Sequence, residues 1–134
     1  MTKERLQEYL YLKKEEQQLR QQLGSIEAAL FGPKIQQFRR TPAPPSPGNA
    51  LEEMVGKHLE LQTRYRAKLE EVAAEQLAIE EAIAALAPRE RTLLRHRYIE
   101  GLSWEEVCVA MSYSWRQTHR IHSQALEALK QKTA

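Results

Sequence analysis

The sequence predicts an all-α fold, and three observations carry that prediction. All 18 acidic residues of the 134-residue chain are Glu, with no Asp. Glu suits helix interiors, whereas Asp competes for the backbone and favours caps and turns. Apolar residues make up 42%, much of it Leu and Ala, with only five Gly, two Phe and two Trp. That composition is poor in the aromatic residues and glycine turns that sheet architectures use. Finally, apolar positions recur at alternating three- and four-residue steps through most of the first 87 residues. The formal charge of +2, from 20 Lys/Arg against 18 Glu, does not by itself mark a nucleic-acid binder.

Residues 1–87 are expected to form a coiled-coil helical hairpin around a proline-rich linker at 31–49. That linker holds five of the six prolines and cannot be helical throughout. Before it, Tyr9, Leu12, Leu19, Leu23, Ile26 and Leu30 keep the alternating step, with Glu16 as the charged exception. After it, Leu51, Val55, His58, Gln62, Tyr65, Leu69, Val72, Gln76, Ile79, Ile83 and Leu86 continue without a slip. This is the 3.5-residue period of a coiled-coil seam. A stripe so narrow needs a partner helix, and the linker is long enough for the two helices to fold back antiparallel. The second, about 36 residues or roughly 54 Å, outreaches the first and offers a surface for a homodimer or higher oligomer. The polar seam positions His58 and Gln62 are read as solvent-exposed turns of that helix.

The pattern changes at residue 88. Pro88 suits a first helical position, where its missing N–H is not needed. Leu93, Leu94, Arg97 and Tyr98 follow, and Gly101 offers a stop. Ser103 and Glu106 form a capping box that opens a short helix to Ala110 or Met111. Ser114 then caps a third helix running to about Lys130. Two short helices joined by a tight turn make a helix-turn-helix, with Cys108 as the small residue where they cross. Val107, Met111, Ile121, Ala125 and Leu129 supply the buried faces. The complete prediction is a long antiparallel helical hairpin or coiled coil, followed at 88–134 by a three-helix helix-turn-helix domain.

The stretches LAPRERTLLRHRYIEG and SWEEVCVAMSYSWRQTHRIHSQALEAL resemble the region 4 DNA-binding domain of bacterial sigma factors. The shared elements are the L-x-P-R-E-x-x-x-L-R-x-R-Y run, the E-E-V of the support helix, the serine cap and the closing A-L-x-x-L. Details such as Y-I-E-G-L-S-W-E-E look more like phage- and prophage-encoded relatives of the ArpU/RinA type, which pair such a head with a helical N-terminal region. Two positions depart from the pattern. Ala87 stands where sigma domains often place a capping Thr, and Ser112 where many helix-turn-helix turns use Gly. Nothing resembles the sigma region that reads the −10 element, so the resemblance implies an upstream-element reader that can touch RNA polymerase.

From Ser114, a 100° step per residue places Thr118, Ile121, Ala125 and Leu129 on one face of the third helix. Opposite lie Arg116, His119, Arg120 and Ser123, with Trp115 near the start. A recognition helix presents its N-terminal residues to the major groove. The resemblance puts Trp115, Arg116, His119 and Arg120 at base-reading positions. Ser114, Gln117 and Ser123 complete the expected DNA contacts, and Lys130 is a further backbone contact. Trp115 serves equally well as a DNA contact or as the edge of the core, while His122 lies near the buried face and is expected to pack there. Arg95 and Arg97 lie 200° apart and cannot serve one surface together.

No catalytic constellation, Gly-rich phosphate loop or metal-ligand spacing is visible, and an enzyme, a cofactor and a bound metal are not expected. Cys108, the single cysteine, reads as a small structural residue. The charged start has no signal-peptide character and no run is apolar enough to span a bilayer, so a cytoplasmic protein without membrane attachment is expected. The sequence thus points to a phage- or prophage-derived transcription regulator binding double-stranded DNA with residues 115–130. Its rivals are an RNA polymerase-binding adaptor with little DNA affinity and a DNA-packaging recognition protein like a terminase small subunit. The charge divides unevenly, −1 over residues 1–87 and +3 over 88–134.

Overall fold

The computed structural model describes residues 1–32 and 49–133, with backbone only for 132 and 133. The elements are α1 (Lys3–Phe31), α2 (Asn49–Ile83), α3 (Pro88–Leu94), one π-helical turn (Arg95–Ile99), α4 (Trp104–Met111) and α5 (Trp115–Thr133). No strand occurs among the described residues, so the all-α expectation holds. The proline-rich segment falls outside the described residues over 33–48; its expected ends coincide with the last residue of α1 and the first of α2. Among the described residues, no helix is long and apolar enough to cross a membrane.

The residues group into two compact units, Met1–Lys13 with Val72–Ala134, and Lys14–Glu71. The core of the first unit continues across Pro88. Leu6 and Tyr9 of α1, and Ile79 and Ile83 of α2, are buried in one cluster with Leu93, Leu94, Tyr98, Val107, Ile121, Ala125 and Leu129. Polar contacts tie the same elements. Arg5 bonds Glu75 at 2.6 Å, Tyr9 donates to Gln76 at 3.1 Å, and Lys13 donates to the Ile99 carbonyl at 2.9 Å. Lys13 thereby satisfies a carbonyl at the end of the π-helical turn, where helix ends lack intrahelical partners. The first thirteen residues are part of the helical head, because the short helices α3 and α4 expose too little apolar surface to close a core alone.

Local chemistry sets the boundaries within that head. Pro88 opens α3, and Ala87 makes no side-chain cap. Gly101 adopts φ +74°, which lets the Leu102 amide turn back to the His96 carbonyl at 3.0 Å. The capping box forms as expected: the Glu106 amide donates to Ser103 at 3.2 Å and Glu106 accepts from the Ser103 amide at 3.4 Å. The turn between α4 and α5 spans Ser112–Ser114. Ser112 takes the left-handed conformation (φ 59°, ψ 38°) that glycine adopts without strain. Its departure from glycine therefore leaves the turn intact at a conformational cost.

In the unit Lys14–Glu71, the two helical stretches run antiparallel. Tyr65 donates to Glu16 at 2.8 Å, Lys68 reaches Glu15 at 2.8 Å, and His58 meets Glu27 at 3.2 Å. The hydrogen bond to Glu16 pushes the Tyr65 phenol above its ordinary pKa. The solvent exposure expected of two seam positions does not hold. His58 is not solvent-exposed but only 9% accessible, packed edge-on to Phe31 at 5.6 Å, and Gln62 is half-buried. The physical reason is that carboxylates on α1 supply partners for the polar seam positions, so Glu16 and His58 both become buried seam residues. Among the described residues of this unit, Leu30 is the single buried apolar side chain.

Two outcomes test this account. Tyr9→Ala should remove about 3–5 kcal/mol from the unfolding of the C-terminal helices, followed by emission of Trp104 and Trp115; a head folding independently from residue 88 would show no change. Ser112→Gly should raise the urea midpoint, by up to about 1 kcal/mol in stability, by relieving the left-handed position. Ser112→Val at the same site should lower it.

Candidate nucleic-acid interface

Helix α5 is strongly two-faced. Thr118, Ile121, His122, Ala125 and Leu129 are all buried, which matches the face read from the 100° step. Arg116, Arg120 and Ser123 are exposed on the other side, and Gln117 is half-buried. Ser114 caps the helix by accepting from the Gln117 amide at 3.1 Å. Ser114, Arg116, Gln117 and Arg120 together line an open depression of about 450 Å³ at the amino end of α5. Unsatisfied amides and the helix dipole favour negative charge at such an end.

The arginines divide by what they already hold. Arg91 donates to the carbonyls of Ala84 and Leu86, both at 3.2 Å, and so caps the end of the α2 region. Arg95 forks onto Glu80 with contacts of 2.8 and 3.1 Å, which strengthens its hold on its proton. Arg97 donates to the Leu102 carbonyl at 2.8 Å and lies over the Trp104 ring at 4.8 Å. Glu100 is engaged by His96, at 2.9 Å. Arg116 and Arg120, in contrast, make no ion pair among the described residues.

Behind the exposed face runs an aromatic stack that sequence reasoning missed. His119 lies between Trp104 and Trp115, with ring centroids 4.4 Å from each. Trp104 also meets His122 edge-on at 4.6 Å. His122 and the Tyr98 hydroxyl are hydrogen-bonded at 2.8 Å inside the core. Sequence placed His119 among the groove-facing side chains, and the structure sets its ring inside the stack, half-buried, with Nε2 lacking a hydrogen-bond partner among the described residues. Trp115 is 53% exposed, with its ring leaning on His119. The only signal for this stack was two indoles and an imidazole on two helices, whose spacing does not reveal contact. Cys108 is half-buried in α4, Arg89 and Lys130 are exposed, and no metal-holding group of His, Cys or acidic residues occurs among the described residues.

A short helix, a three-residue turn and a longer, two-faced second helix make a helix-turn-helix unit. Residues 82–131 match the family model described as sigma-70, region 4. The C-terminal half of the chain therefore resembles the sigma region 4 helix-turn-helix, which suggests a DNA-binding regulator of transcription. No curated protein and no solved structure matches the chain.

Burial pushes the His122 pKa down to about 4, with the charges of Lys3, His119 and Arg97 adding to the effect. The neutral ring can then accept from the Tyr98 hydroxyl, whose own pKa burial raises. An unfolded chain binds this proton near pH 6.5 and the folded head resists it, so stability is complete above about pH 6.5 and falls as pH drops toward 4. Urea melts across that window should show a loss of about 3 kcal/mol attributable to this site. His122→Gln, which does not titrate, should flatten the profile between those two pH values.

Proposed function

We propose that this chain is a sequence-specific regulator of transcription, of phage or prophage origin, that lays α5 in the major groove of double-stranded DNA. The observation that carries this reading is the pairing state of the arginines. Arg91, Arg95 and Arg97 are engaged within the fold, while Arg116 and Arg120 stand exposed and unpaired beside the capped end of α5. An arginine held one turn from a helix start can meet guanine O6 and N7 bidentately. Ser114, Gln117 and Ser123 supply shorter polar contacts to phosphates or bases. Trp115, leaning on His119, offers an apolar edge suited to sugar or thymine methyl. His119 acts in this reading by holding Trp115 rather than by reading a base.

The head carries only +3 over residues 88–134, modest for a DNA binder. Two copies on one site would double the phosphate contacts, so the protein is proposed to act as a homodimer with half-sites about one helical turn, or a multiple of it, apart. The region 4 resemblance supports RNA polymerase as a second partner of the head. The proposed activity is binding alone, with no catalytic step and no cofactor.

Selection of bound sequences from a random duplex pool tests the reading directly, and a two-fold consensus is expected. On the selected site, Arg116→Ala and Arg120→Ala should each cost about 1–3 kcal/mol and relax preference at one base position. Affinity should also fall with salt at a log–log slope of about −0.9 per phosphate contacted. Failure to enrich any sequence, or equal losses on every sequence, would reject base reading by these residues.

A further inference from the structure

The seam of α2 has two halves, and in the unit Lys14–Glu71 only one of them is covered. His58 and Tyr65 point at Glu27 and Glu16 of α1. On the neighbouring stripe, Val55, Leu59 and Leu69 remain 43%, 58% and 42% exposed. With Gln62 and Arg66 these positions fall within about 80° of arc at 100° per residue, a continuous line along one side of the helix. We propose that this stripe, Val55–Leu59–Gln62–Arg66–Leu69, is the homodimer surface, paired with the same stripe of a second copy running antiparallel. The proposal deepens the dimer of the functional reading, on which it rests for its biological use.

Three observations choose a second copy as the occupant. The unit buries one apolar side chain, Leu30, among its described residues, so its two helices do not complete a core as a pair. The stripe is self-complementary about Gln62. In an antiparallel pair centred there, Val55 faces Leu69 of the other copy, Leu59 lies along the Arg66 stem, and the two Gln62 amides meet. A polar residue at one seam position fixes register and orientation at some cost in stability. Charge favours the same arrangement: residues 51–61 carry −2 and residues 63–73 carry +1, so antiparallel copies set unlike halves together.

The test uses the full chain carrying Cys108→Ser, so that any introduced thiol is alone. Sedimentation should give twice the 15.6 kDa chain mass. Leu59→Glu should convert the protein to a monomer, with helical circular dichroism retained and binding to a single half-site unchanged. Gln62→Cys should form a disulfide-linked dimer on mild oxidation, because the two-fold axis brings those Cβ atoms together. Val55→Cys should not, since its counterpart lies about 21 Å along the pair. A monomeric wild type overturns the proposal, as does a Leu59→Glu protein of unchanged mass or a Val55→Cys protein that cross-links as readily as Gln62→Cys. A dimer of the stated register that binds no DNA leaves this surface standing and rejects the functional reading instead.

Discussion

The rotational setting of α5 is the constraint from which the proposed interface follows, and the buried contact of Tyr98 with His122 holds it. The hydroxyl and the imidazole are 2.8 Å apart in a core that also encloses Ile121, Ala125 and Leu129. Burial keeps the imidazole neutral, so it can accept the phenolic proton instead of repelling the nearby cations. A rotation of α5 by one residue would break that bond and expose Ile121. It would also carry Arg116 and Arg120 away from the surface they now share with Ser114. A polar contact inside an apolar cluster is worth most when fully satisfied, and here it selects one orientation of the helix among those that apolar burial alone would tolerate.

The distribution of arginines shows how a weakly charged head can still present a defined cationic face. Three guanidinium groups serve the fold as caps, a forked ion pair and a cover for Trp104. Arg116 and Arg120 are left unpaired, on the side of α5 opposite the core. The Trp104–His119–Trp115 stack stiffens that side by tying the start of α5 to the start of α4. Net charge, which averages over both kinds of arginine, conceals this division.

The two compact units bury apolar surface by different means. The first collects side chains from five helices and encloses thirteen buried apolar residues. The second has two helical stretches, polar bonds along its seam, and a row of apolar side chains on α2 that stays open. Two helices in contact cover one stripe each, and a helix with a second stripe calls for a third helix. The proposed antiparallel partner supplies one.

Much of this was legible in the sequence because it depends on local periodicity and capping. The absence of Asp, the three-and-four step, the Ser103 and Ser114 caps, and the split faces of α5 are short-range properties, and the predicted helices are present among the described residues. The sigma region 4 resemblance rested on the same local residues and matches at 82–131. What the tertiary structure alone decided is long-range. Lys13 meets Ile99 across 86 positions and Tyr9 meets Gln76 across 67, so the first thirteen residues join a head that begins, in sequence, at Pro88. His58 became a buried seam residue because Glu27 lies opposite it, and His119 entered a stack because Trp104 approaches from another helix. A sequence pattern assigns a residue to a face of its own helix; which partner that face meets depends on packing between segments far apart in the chain.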